Sequence, residues 1–254
     1  MHDAFGTVAI TTGGTKGEFI RNGRSFRANT GFLETTGGRL ALDLTAFGID
    51  ENINKMTIEF FAKMADGDVS AWAQQIMFGI AGETPSGTMA LSASHPYYLD
   101  LERDGDHFYG KVQTKKPDGS FNTSYLTDAN GFKYDGEWHH VAYVFHPVAD
   151  GQEWNYDYYV DYKRVQQGWS GRGNLWKAVT PGSGERLWLL LGKQQNGVHC
   201  RFDEFRITCG ALDSSKFLRH VTDVTQPVDG ETLSYLPFDN SIASIVHAAE
   251  WAPS

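Results

Sequence analysis

The sequence predicts an all-β antiparallel fold, and three observations carry that reading. Tight-turn dipeptides recur at short intervals, the segments between them alternate apolar and polar residues, and helix-forming runs are scarce. Asp104-Gly105, Asp118-Gly119, Asp135-Gly136 and Asp150-Gly151 each divide two strand-like stretches. Asp-Gly suits a two-residue hairpin because the primed turns need positive φ. Many short strands at hairpin spacing define a sandwich or a barrel.

In chain order, 56–64 is the clearest strand. Met56, Ile58, Phe60, Ala62 and Met64 fall on one parity, and Thr57, Glu59, Phe61 and Lys63 on the other. This is the period of a half-buried strand, with Phe61 the exception on its polar side. Residues 97–103, 107–114, 121–127, 138–146 and 156–165 follow as a meander. Both parities of 187–191 are apolar, as in a strand covered on both faces. Asp213 is placed to cap a short turn over 213–219. Met56, Ile58, Phe60, Val141, Val160, Leu189 and Leu191 are the expected core.

Composition bounds the function. The chain has 254 residues, long for one domain but within the range of about 200–250 that single β-sandwiches reach. A formal charge of −9 gives no electrostatic reason to bind nucleic acid or an anionic membrane. No apolar run approaches the roughly 20 residues of a membrane span. Met1-His2-Asp3 leads into a strand-like segment without a basic, apolar leader, so the chain reads as a portion of a longer parent protein. Cys200 and Cys209 lie at the two ends of one strand-like segment. Its ends would be about 30 Å apart, whereas a disulfide needs Cα atoms within about 7 Å. Two structural thiols are expected.

Four segments, in order, resemble the laminin-G-like (LamG) domains of the concanavalin A-like lectin/glucanase superfamily. Thr57-Ile58-Glu59-Phe60-Phe61-Ala62-Lys63 is similar to F-T-I-E-F-W-V-K, and Gly136-Glu137-Trp138-His139-His140-Val141-Ala142 to G-x-W-H-H-V-A. Tyr158-Tyr159-Val160-Asp161-Tyr162-Lys163-Arg164-Val165 resembles L-Y-V-D-G-x-x-V, with Tyr162 in the usual Gly position. Leu190-Leu191-Gly192 followed by Phe202-Asp203-Glu204-Phe205-Arg206-Ile207 matches L-x-I-G … I-D-E-F-R-I. The resemblance implies a two-sheet antiparallel jelly-roll sandwich on a secreted or cell-surface protein. The family's opening L-x-x-x-F-D-G has no counterpart before Gly6; Leu233-Ser234-Tyr235-Leu236-Pro237-Phe238-Asp239-Asn240 supplies one after the last strand. The chain therefore divides into a jelly-roll domain over 1–228 and a C-terminal strand segment over 229–254, which completes this sandwich or begins a following domain. Residues 232–239 lying antiparallel beside 202–208, in this chain or in a neighbouring copy, satisfy both the apolar tail and an otherwise unpaired edge, and the return within one chain is the favoured arrangement. Pro237 then belongs at an edge or bulge.

The chemistry points to binding. Sugars stack on aromatic rings while guanidinium and amide groups bond their hydroxyls. Trp154, Trp169 and Trp176, with Arg172, Asn174, Gln194, Gln195 and Asn196, form the candidate ligand site; Tyr97 and Tyr98 with Trp72 form a second. The competing reading is that these tryptophans anchor long loops to the core. Asp100, Glu102 and Asp104 have the i, i+2 spacing that brings carboxylates to one strand face, but a solvated acidic hairpin is the favoured reading. His139 and His140 are neighbours on a strand and cannot line one site. The resemblance implies a structural Ca²⁺, with Asp203 and Asp239 as its acidic ligands. The expected function is a non-catalytic carbohydrate-binding or adhesion module whose partner is a glycan or glycoprotein, beside neighbouring domains of the parent chain. A glycan-degrading hydrolase or lyase and a structural spacer in a tandem array are the alternatives.

Overall fold

The computed structural model describes eighteen strands, numbered β1 to β18 in chain order, and the segments 55, 135–138, 161–162 and 210–218; side chains are described for 55–63, 135–146, 156–165, 189 and 201–218. A nine-stranded sheet runs β1 (Thr7–Thr12), β4 (Gly31–Thr36), β16 (His199–Cys209), β6 (Met56–Met64), β11 (His139–Pro147), β12 (Glu153–Val160) and β13 (Lys163–Gln166). β14 (Arg172–Gly173) also pairs with β12, and β17 (Glu231–Leu236) with β16. A seven-stranded sheet runs β10 (Phe121–Leu126), β9 (His107–Lys115), β8 (Tyr97–Asp104), β7 (Ile76–Glu83), β15 (Arg186–Gly192), β5 (Arg39–Asp43) and β18 (Ala252–Pro253). A ribbon joins β2 (Glu18–Phe19) to β3 (Arg24–Ser25). Within both large sheets the paired strands are antiparallel. A 3-10 turn at Ser214–Lys216 is the one helical element among the described residues; the Asp213 side chain caps it, accepting from the Ser215 N–H at 2.8 Å. No helix among the described residues is long and apolar enough to cross a membrane.

β6 lies between β16 and β11, and its residues are buried from Met56 to Ala62 on both parities. On one face, Ile58 and Phe60 stand opposite Tyr143 and Val141 of β11, which in turn stand opposite Tyr158 and Val160 of β12. The Tyr143 and Tyr158 rings stack at 5.0 Å. The other face was expected to be polar. It is closed instead by the segment 210–218, whose Leu212 and Phe217 pack on Ala142 and Val144 with Tyr159 and Tyr162 around them. Phe61 therefore has a buried place, its ring 5.1 Å from that of His140.

β16 reaches the same core through a bulge. Asp203 stands opposite Phe61 and Arg206 opposite Glu59, so Glu204 and Phe205 together face the single residue Phe60. Glu204 takes φ 51°, a left-handed conformation that costs a non-glycine residue about 1–2 kcal/mol. The extra residue brings Phe202 and Phe205 onto one face, where strict alternation would have parted them. Their rings sit 6.1 and 5.9 Å from that of Phe60.

The expected single strand over 156–165 is a hairpin. Val160 pairs with Lys163 across a two-residue turn, and Asp161 and Tyr162 both have positive φ, at 48° and 68°. Two positive φ values are what a type I′ turn requires. Of the seven expected core residues, Met56, Ile58, Phe60, Val141, Val160 and Leu189 are buried, and the Leu191 side chain lies outside the described residues. β16 runs unbroken from His199 to Cys209, which keeps Cys200 and Cys209 apart as expected.

The C-terminal strand sits where the unpaired edge required. β4 pairs with the His199–Phe202 half of one β16 edge, and β17 pairs antiparallel with the half from Phe205 to Cys209. Pro237 lies outside the described residues. Ending the chain after Val228 should lower the midpoint of thermal unfolding followed by circular dichroism, because it strips the ladder from Phe205 to Cys209. Phe60→Ala should cost about 3–5 kcal/mol. An unchanged melting curve for the truncated chain would show that β17 contributes nothing to this domain.

Candidate functional site

The margin formed by β11, β12, β13 and β14 holds the expected ligand residues that can be placed. β12 shares one edge between two partners: β13 takes Tyr158 to Val160, and β14 takes Glu153 and Trp154. Trp154 stands opposite Pro147 on one side and Arg172 on the other. Trp154 and Arg172 are thus direct cross-strand neighbours at the start of β12. They fall one step beyond Tyr156 towards the start of the strand. Trp169, Asn174, Trp176, Gln194, Gln195 and Asn196 lie outside the described residues.

The opposite face of the same margin is polar. The Asp157 Oδ2 lies 3.6 Å from His146 Nε2 and 3.8 Å from Arg164 Nη1. Tyr159 stands opposite Arg164, and its ring meets Phe217 edge-on at 5.0 Å. Burial and the Asp157 and Asp213 charges push the Tyr159 phenol up, against the opposing pull of Arg164. The phenol is therefore neutral at ordinary pH and able both to donate and to accept.

Beneath this margin lies a sealed polar cluster. Glu59 is fully buried; its Oε1 accepts from Arg206 Nε at 2.8 Å and also from Arg206 Nη2. Its Oε2 lies 2.9 Å from His140 Nε2 and accepts the Leu218 N–H at 2.8 Å. Burial alone would raise this carboxyl. Arg206 opposes burial most strongly, followed by His140 and the Leu218 N–H, and together they hold it below its ordinary value. Arg206 Nη2 also donates to the Lys216 carbonyl at 3.0 Å. Thr57 Oγ1 donates to the Gly210 carbonyl at 2.6 Å and accepts from the Leu212 N–H at 3.0 Å. These bonds fasten β11, β16 and 210–218 to β6, and the Arg206–Lys216 bond ties β16 to 210–218. Tyr162 adds a clamp: its ring stacks on His140 at 4.6 Å and its hydroxyl donates to the Leu218 carbonyl at 3.2 Å. Glycine would hold the positive φ of that turn at less cost, but glycine has no ring to place there.

His139 and His140 serve opposite faces, as strand alternation demands. His139 Nε2 lies 2.9 Å from Asp135 Oδ1 and its Nδ1 3.0 Å from Asp161 Oδ2. Asp161 also accepts the His140 N–H at 3.3 Å. Among the described residues no group of three or more His, Cys, Asp or Glu is arranged to hold a metal. Asp203 is buried in the bulge, where its Oδ1 accepts the Glu204 N–H at 2.9 Å; Asp239 lies outside the described residues. Asp100, Glu102 and Asp104 occupy alternate positions of β8, opposite Lys111, Tyr109 and His107. Tyr97 and Tyr98 fall on opposite faces of that strand, and Trp72 lies outside the described residues.

No family model matches the chain, and no curated protein matches it in sequence. Its structure is similar to the binding domain of botulinum neurotoxin DC solved with rat synaptotagmin II, at 10% identity and TM-score 0.42, over 84% of this chain and 45% of that one. It is similar to the botulinum neurotoxin serotype D binding domain at 8% identity and TM-score 0.45, over 82% and 44% of the two chains. The neurotoxin type C structure concerned with two ganglioside molecules aligns at 10% identity and TM-score 0.41, over 84% and 44%. The chain spans less than half the length of these structures.

Glu59→Gln should leave Arg206 buried without its counter-charge and cost about 3–5 kcal/mol near neutral pH. The stability that Glu59 contributes is fully present above the ordinary value of 4.5 and is lost as pH falls through its lower folded value. The gap in melting temperature between wild type and Glu59→Gln should therefore be constant from neutral pH to about 5 and close below it. Tyr162→Phe should cost about 1 kcal/mol in urea unfolding for its lost hydroxyl bond. Tyr162→Gly should be less stable still, despite relief of the turn.

Proposed function

We propose that this chain is a non-catalytic carbohydrate-binding or adhesion module, a LamG-like jelly roll of the concanavalin A superfamily whose two large sheets pack face to face. It acts outside the cell or at the cell surface, on a glycan or glycoprotein. The single observation that supports the site is the cross-strand pair Trp154 and Arg172 at the start of β12. An indole offers a stacking surface and a guanidinium offers a fork of donors to sugar hydroxyls. The polar strip of Asp157, Arg164 and Tyr159 continues the same margin on the other face.

The reading of the fold rests on the apolar faces. The buried row through Ile58, Tyr143 and Tyr158 needs a cover, and the buried Leu189 marks an apolar face on the other sheet. A glycan hydrolase or lyase is the second reading. Asp100 and Glu102 stand at alternate positions of one strand, about 6.6 Å apart along it, within the span of roughly 5–9.5 Å that paired glycosidase carboxylates use.

A glycan array probed with the intact chain should show a bounded set of bound glycans, and Trp154→Ala or Arg172→Ala should weaken the strongest of them about tenfold or more. A blank array would remove the binding reading. Release of reducing ends from a polysaccharide, lost on Asp100→Asn or Glu102→Gln, would replace it with the enzymatic one.

A further inference from the structure

β6 carries different chemistry on its two faces. Ile58 and Phe60 belong to the core face, beside Val141 and Tyr143 of β11 and Phe205 and Ile207 of β16. Thr57 and Glu59 belong to the outer face, with Ala142 and Val144 opposite them on β11 and Arg206 and Thr208 opposite them on β16. Each of these outer residues is buried. Segment 210–218 lies over them, its Leu212 and Phe217 packed on Ala142 and Val144. The segment is held by its main chain. Thr57 binds the Gly210 carbonyl and the Leu212 N–H, Arg206 binds the Lys216 carbonyl, and Glu59 binds the Leu218 N–H. All three holders stand on the outer face.

We propose that 210–218 is a cover latched by the Glu59 charge, which opens as a unit in acid and wets Glu59, His140 and Arg206 while the core face behind it stays folded. Once Glu59 takes up a proton, the Arg206 guanidinium is a buried cation beside a neutral group, which is costly. Lifting the cover hydrates it and gives up the burial of Leu212, Phe217 and Leu218. Unfolding hydrates it too, but gives up the whole core face as well, so the local opening is the smaller loss. The closed state already carries a cost there: His140 Nδ1 is buried with no hydrogen-bond partner among the described residues.

The charged and titratable groups around Glu59 come from each element packed on it. β11 brings His140, and β16 brings Arg206, with Arg201 opposite Lys63 and Asp203 opposite Phe61 further along. Tyr159 and Tyr162 flank the cover, which itself carries an exposed Asp213 and a half-buried Lys216. Lys55 and Lys63 lie on either side in Glu59's own segment. Burial pushes the Glu59 carboxyl up; Arg206, then His140 and the Leu218 N–H, more than offset this and hold it below 4.5. Opening returns the carboxyl to water, so the open form takes up the proton first. The Glu59 contribution to opening is therefore constant above 4.5 and grows as pH falls from there to the lower closed-state value, by up to about tenfold per pH unit for one proton. The device requires nothing of the glycan-binding reading.

Native-state hydrogen exchange of the intact chain in low urea, followed amide by amide, tests the latch. The Leu212 and Leu218 N–H groups report the cover, and those of Val141 and Tyr143, in ladders on both sides of β11, report the core. After correction for intrinsic rates, the cover amides should open more often than the core amides. Their urea dependence should be shallower, because less surface is exposed. Taking the pH one unit below 4.5 should raise cover opening several-fold, up to about tenfold, and raise core opening less. Glu59→Gln should show fast cover exchange already at neutral pH, no further rise through that window, and a β11 that is still protected. Tyr162→Phe, which removes a hydroxyl bond to the cover but no charge, should raise cover opening about fivefold at every pH. The latch is refuted if cover and core amides share one opening constant and one urea dependence at every pH. It is equally refuted if cover opening in the unaltered chain ignores pH below 4.5, or if Glu59→Gln exchanges like wild type. The first two outcomes need only the unaltered chain, so they decide the matter even where Glu59→Gln does not fold.

Discussion

Glu59 sits within a strand whose residues are buried on both faces, and its carboxylate has no contact with water. A lone buried carboxylate is expensive enough to unfold a domain. Here each oxygen is spoken for: Arg206 on one, His140 and the Leu218 N–H on the other. Those partners come from β16, β11 and the segment 210–218, so a single ionised group ties together the three elements packed on β6. Removing any one partner leaves charge stranded, and for that reason the cluster specifies its arrangement more sharply than apolar contact would.

The consequences spread through the nine-stranded sheet. Arg206 reaches Glu59 only because the bulge at Asp203 and Glu204 resets the parity of β16, and the same reset brings Phe205 beside Phe60. Tyr162 holds a backbone conformation that glycine holds more cheaply, and its ring and hydroxyl close the lid formed by 210–218. Two local strains, at Glu204 and Tyr162, are thus offset by the packing they permit. The rigid frame that results carries β12, and β12 sets Trp154 against Arg172.

The division of labour between the two sheets follows from register. In the nine-stranded sheet both faces of the central strands are covered, which leaves polar chemistry to its β12–β13 margin. In the seven-stranded sheet one parity is mostly apolar, and the other mixes acidic and basic residues with Tyr98, Trp188 and Leu190.

Adjacent residues decide parity and turn type, so the sequence by itself determined the strands of the meander, the Asp213 cap and the buried parity of Met56, Ile58 and Phe60. It also determined that the apolar tail near Tyr235 would seek the edge beside Phe205. Only the tertiary structure decided which residues stand across a ladder from one another. Glu59 meets His140 and Arg206 across sequence separations of 81 and 147, and no local period announces such a meeting. The one local sign was a carboxylate in an otherwise heavily apolar strand. Phe61 looked misplaced on a polar parity because the lid that covers it lies about 150 residues away in the chain. The turn at Asp161 and Tyr162 hid within a strand-like run for a related reason: Tyr162 has strand propensity by itself, and only its contacts with His140 and Leu218 keep it in a turn. Alternation is a property of neighbours, whereas register and burial are properties of the assembled sheet, and chemistry at this protein's faces depends on the second.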